Sequence, residues 1–98
     1  MSPHTATVTL ITAPGCHFCD DARQTLGTMA DAGAPIRVDL VEATSPAGRD
    51  LLAAHRPAMN PLVLVDGVWF SAGRLPRRKL EALLAQRVTT NTEEVHRG

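Results

Sequence analysis

Cys16 and Cys19 are the only cysteines in the chain, and they stand three apart in Cys16-His17-Phe18-Cys19. A disulfide across so short a loop stabilises little, because the effect grows with the length of chain enclosed. Structural zinc normally takes four ligands, and His4, His17, His55 and His96 are scattered with no His-x-x-x-His pair to complete a set. A redox dithiol uses the residues that are present. Its chemistry is disulfide exchange, in which one exposed thiolate attacks and a nearby thiol resolves the mixed disulfide. Two other readings stay open at this level: a pair of unreactive thiols, and a two-thiolate copper or zinc carrier.

The elements that must hold the pair follow from the apolar pattern. Ala6 to Thr12 places Val8, Leu10 and Ile11 in a β-rich run, broken by Ala13-Pro14-Gly15. From about Cys16, Phe18, Ala22, Leu26 and Met29 recur at helical spacing, with Asp20 and Asp21 in the first turn and Gly33 as a stop. Gly27 inside this helix implies a close neighbour, since it otherwise costs roughly 1 kcal/mol against Ala. Cys16 then sits at the helix start, where unpaired N–H groups and the macrodipole favour a thiolate. Cys19 lies one turn further in. The spacing therefore assigns attack to Cys16 and resolution to Cys19. His17 can add positive charge beside the thiolate, Asp20 and Asp21 act against it, and Phe18 is a candidate substrate contact.

Ile36, Val38 and Leu40 alternate with Arg37 and Asp39, the pattern of an edge strand with one polar face. Ser45-Pro46 caps a short helix through Leu51, Leu52 and His55, which Pro57 ends. Leu62-Val63-Leu64-Val65 is continuously apolar, a strand buried on both faces, and Asp66-Gly67 turns it into Val68-Trp69-Phe70. Of Trp69 and Phe70, one is expected in the core. A last helix starts near Pro76 with Leu80, Leu83 and Leu84 inward, and the chain from Arg87 reads as a tail. The expected fold is α/β, a four-stranded mixed sheet in the order β-α-β-α-β-β-α with helices on both faces. The first strand-helix-strand unit should be a right-handed parallel crossover. Residues 1–87 form the single domain and 88–98 a flexible C-terminal tail.

Ninety-eight residues, 44% apolar and 20% charged with zero formal net charge, describe one globular domain without a field for nucleic acid or a membrane surface. No window nears the ~18 apolar residues of a membrane span. Met1 to Thr7 lacks the pattern of a secretory signal, so a cytoplasmic monomer is expected. The charge is uneven: residues 1–66 carry four Arg against seven acids, and residues 67–98 carry six bases against three acids. Four of those bases are Arg74, Arg77, Arg78 and Lys79, at the start of the last helix.

A dithiol between the first strand and its helix, with Pro61 just before the buried third strand, resembles the thioredoxin fold. Thr12-Ala13-Pro14-Gly15-Cys16-His17-Phe18-Cys19, Asn60-Pro61-Leu62-Val63-Leu64-Val65-Asp66-Gly67 and Ser71-Ala72-Gly73-Arg74-Leu75 look like the glutaredoxin branch, over about Val8 to Arg87. The resemblance implies a thiol–disulfide oxidoreductase serving electron transfer and cell redox homeostasis. It also implies a cis Asn60–Pro61 bond that forms a substrate platform beside the dithiol, and a substrate-binding loop at Gly73 and Arg74. No bound cofactor or metal is implied beyond the Cys16–Cys19 disulfide. Substrates would be disulfide-containing proteins or small molecules, and the donor an external low-molecular-weight thiol or a flavin-dependent reductase.

The sequence departs from the branch in three places. Thr12 to Gly15 has no Lys before the first cysteine, and His17-Phe18 replaces Pro-Tyr. Ala72-Gly73-Arg74-Leu75-Pro76 has no acid where glutaredoxins hold the amino end of glutathione. The basic segment from Arg74 to Lys79 leaves two readings open: a solvated helix face with screened charges, or an Arg74 that receives an anionic substrate such as a carboxylate or an acidic peptide segment. The competing classes are the copper or zinc carrier and a thioredoxin-like interaction domain without catalysis. Short copper carriers run strand, strand, helix, strand and end on a strand, unlike the order expected here.

Overall fold

The structure, a computed structural model, describes residues 5–86. The expectations of a tail over 88–98 and of an unexported N-terminus, and the residues His4 and His96, lie outside these. The bounded elements are β1 (Ala6–Thr12), α1 (His17–Asp31), β2 (Ile36–Glu42), α2 (Pro46–His55), β3 (Leu62–Val65) and β4 (Val68–Ala72). Residues 77–86 form a third helix, α3, which runs to the last described residue.

In space the strands are ordered β2-β1-β3-β4, so β1 and β3 are central and β2 lies at an edge. β1 pairs parallel with β2, while β1–β3 and β3–β4 are antiparallel. Among the described residues the result is an α/β arrangement of a mixed four-stranded sheet and three helices, compatible with a thioredoxin-like fold.

Strand alternation divides the core between the two sheet faces. Val8, Leu10, Val63 and Val65 point to one face and pack with Ala22, Leu26 and Met29 of α1 and Leu80 and Leu84 of α3. Ile11, Leu62 and Leu64 point to the other, where Leu51 and Leu52 of α2 close over them. Every residue of β3 is buried. At Asp66-Gly67 both residues have positive φ (51° and 81°), as a tight hairpin turn of the I′ type requires. The register shifts between Val63 and Leu64, a β-bulge. Beyond it Phe70 is buried in the core, whereas Trp69 is exposed.

Two local expectations are corrected. Gly27 has nothing near the position of a Cβ, so no close neighbour explains it. The close approach is at Gly48, where a Cβ would collide with the carbonyl of Glu42 as α2 packs back onto the end of β2. Leu40 was expected inward but is 50% exposed, because this end of the edge strand borders an open cleft.

Candidate functional site

Register alone fixes which loops share an end of the sheet. Ile11 pairs with Leu62, Leu62 with Ala72, and Thr12 with Glu42. The segment leading to Cys16, the segment arriving at Pro61, the loop after Ala72 and the loop after Glu42 therefore all lie at one end.

The dithiol occupies the start of α1. Ala13-Pro14 and Gly15, the last at φ +69°, turn the chain out of β1, and Cys16 becomes the N-cap in an extended conformation. Its sulfur accepts the backbone N–H of Cys19 at 3.1 Å, so one orphan donor of the helix terminus points at the sulfur. Cys16 and Cys19 form a disulfide, with Cα atoms 5.2 Å apart. The two are unequally accessible: Cys16 is half-buried, and Cys19 is buried at 2% exposure.

His17 and Phe18 are exposed on the first turn, with ring centroids 6.2 Å apart. Asp20 bonds to Arg23 across 3.6 Å in an exposed i,i+3 pair, which offsets part of the negative charge near the sulfur. The Asn60–Pro61 peptide bond is cis, with Pro61 buried and Asn60 exposed. Gly73, at φ +90°, donates its N–H to the Pro61 carbonyl at 2.9 Å, and Arg74 projects into solvent beside it. All eight sequence-predicted site residues thus lie in the segments that share the dithiol end.

Two features of this end were not foreseen. Met59 lies against Gly73, its Sδ 3.3 Å from where a Cβ would stand, so a side chain at 73 would press on it. The signal was an apolar residue directly before Asn-Pro in a polar-sided loop, which stays 54% exposed. The second is a cleft of about 440 Å³ on the β2 side, walled by Thr12 to Gly15, Cys19, Asp20, Arg23, Leu40, Glu42 and Thr44. It forms across β1, α1 and β2, so no single stretch of sequence contains it.

Among the described residues no three His, Cys, Asp or Glu side chains group to hold a metal ion, and no helix is long and apolar enough to cross a membrane. No protein-family model matches the chain, and no curated protein matches its sequence significantly. The residues themselves carry the functional argument.

Proposed function

We propose that the chain is a thiol–disulfide oxidoreductase of glutaredoxin-like type, acting on disulfides of proteins or small molecules as a cytoplasmic monomer. One observation carries this reading: Cys16 is a half-exposed helix N-cap whose sulfur receives a backbone N–H, while its disulfide partner Cys19 is buried one turn in. A structural disulfide needs neither the cap nor the difference in access.

In the reduced protein the Cys16 thiolate attacks one sulfur of the substrate disulfide. A Cys16–substrate disulfide forms and the other substrate half leaves as a thiolate. Loss of its proton lets Cys19 attack the Cys16 sulfur, forming the Cys16–Cys19 disulfide and expelling the second half. Two electrons pass from the dithiol to the substrate. Two equivalents of an external low-molecular-weight thiol, or a flavin-dependent reductase, return them. Asn60 and Pro61 support the bound chain from the neighbouring strand end, and His17 and Phe18 face it from the helix.

Turnover of a neutral mixed disulfide by wild type, Cys16→Ser and Cys19→Ser tests the reading. Wild type turns over. Cys16→Ser is inactive, and Cys19→Ser accumulates a mixed disulfide at Cys16 detectable by intact mass. Activity persisting in Cys16→Ser, or a disulfide-linked dimer as the main oxidised wild-type product, overturns it.

A further inference from the structure

The dithiol end has flanks of unequal charge. On the β2 side of β1, Arg23 is engaged by Asp20, Arg49 donates its Nε–H to the carbonyl of the cleft residue Thr44 at 3.0 Å, and Glu42 has no ion-pair partner among the described residues. That flank carries two acids against two bases, with Glu42 the acid left without a partner. On the β4 side, Arg74, Arg77, Arg78 and Lys79 line a shallow depression with Leu75 and Pro76. Arg77 pairs with Glu81 at 3.5 Å, and the Lys79 ammonium stands 5.4 Å from the centroid of Phe70. Arg74 and Arg78, both exposed, have no ion-pair partner among the described residues. They sit at the start of α3, where the macrodipole disfavours cations, so a bound carboxylate would relieve both guanidinium groups and the helix terminus.

We propose that this polarity selects and orients the substrate. On this view it is a polypeptide disulfide with acidic residues on the side of its cysteine that lies over Arg74 and Arg78, and neutral or basic residues on the side that lies over the Glu42 cleft. The inference rests on the oxidoreductase reading and adds the substrate class. Span decides for a polypeptide over a small thiol: β2 and β4 are three strand spacings apart, ~14 Å, or about four residues of extended chain. A single amino-acid-sized thiol reaches one flank only. A nucleic acid is disfavoured, since the chain has zero net charge and the unpaired Glu42 would repel a polyanion crossing the site.

The test uses two cysteine peptides of identical composition, one acidic before the cysteine and basic after it, the other reversed, each as a mixed disulfide with a neutral reporter thiol. The readout is the ratio of kcat/KM between the two isomers, which cancels differences in folding or thiol reactivity among variants. Wild type should prefer one isomer by about fivefold at low salt, as two exposed charge pairs would supply. The ratio should approach one near 1 M salt, where screening shortens to ~3 Å. Arg74→Glu/Arg78→Glu should erase or invert the preference, and Glu42→Lys should reduce it. Equal turnover of the isomers by wild type, or a preference that survives the double reversal, overturns the proposal. Fluorescence anisotropy of serine-containing isomers keeps the two readings separate: if wild type turns over neither disulfide, the oxidoreductase reading fails. The same binding ratio, with the same response to the double reversal, then still supports oriented docking, and equal binding refutes it. An oligonucleotide that binds more tightly than either peptide also overturns it.

Discussion

Cys16 ends one chain segment and begins another, and that position sets its reactivity. Its carbonyl accepts the Asp20 N–H at 3.3 Å, and its sulfur accepts the Cys19 N–H at 3.1 Å. A sulfur so placed gains more from a donor when negative than when neutral, because charge-assisted hydrogen bonds are about twice as strong as neutral ones. The macrodipole acts in the same direction. In the reduced protein, alkylation of Cys16 should therefore rise with pH about a midpoint below the free-thiol value of ~8.5. Below that midpoint attack slows as the thiol protonates, and above it the rate levels off. A rate profile for Cys19→Ser, which leaves a single reactive thiol, measures this directly. A midpoint at or above the free-thiol value would mean that the cap does not act on the sulfur.

At the scale of elements, two helical glycines that look alike in sequence behave oppositely. Gly27 is exposed in the middle of α1 with open space around its missing Cβ. Its only effect there is the entropy of a flexible residue, so Gly27→Ala should raise stability by about 0.5–1 kcal/mol. Gly48 is buried in the first turn of α2, three residues beyond the Ser45 cap that receives its N–H at 3.0 Å. A methyl group at 48 meets the backbone of Glu42 and Ala43, which cannot rotate away as a side chain would. Gly48→Ala should cost about 1–3 kcal/mol, the usual penalty for overpacking. Urea denaturation of both variants separates the cases by the sign of the midpoint shift. Sequence could not tell these glycines apart, because what distinguishes them is the approach of a different segment. The Ser45-Pro46 cap was legible because capping is local. So were the Asp66-Gly67 turn and the unbroken burial of Leu62 to Val65.

The whole molecule shows the same division between local and assembled features. The dithiol, Asn60-Pro61 and Gly73-Arg74 could be read as separate signals. That they share one sheet end follows from pairings between strands far apart in the chain. The cleft beside Cys19, the Met59 contact and the exposure of Leu40 depend on how α1, β2 and the loops meet, and no periodicity encodes them. The core is likewise unequal across the sheet. Among the described residues, the core cluster on the face under α1 and α3 has twelve buried members, against three in the cluster under α2. Leu80 is fully buried on the larger face, whereas Leu51 is only partly buried on the smaller one. Truncating Leu80 removes its transfer free energy and leaves a cavity that helix and sheet cannot both collapse to fill, a loss of about 2–5 kcal/mol. Leu51→Ala removes less burial beside solvent that can fill the gap, so its cost should fall below that range. Against a total stability of ~5–15 kcal/mol, Leu80→Ala takes a large share. Thermal unfolding should show both variants melting in a single transition, with Leu80→Ala well below Leu51→Ala. A larger loss at Leu51 would mean that the α2 face, and not the α1 and α3 face, dominates the core.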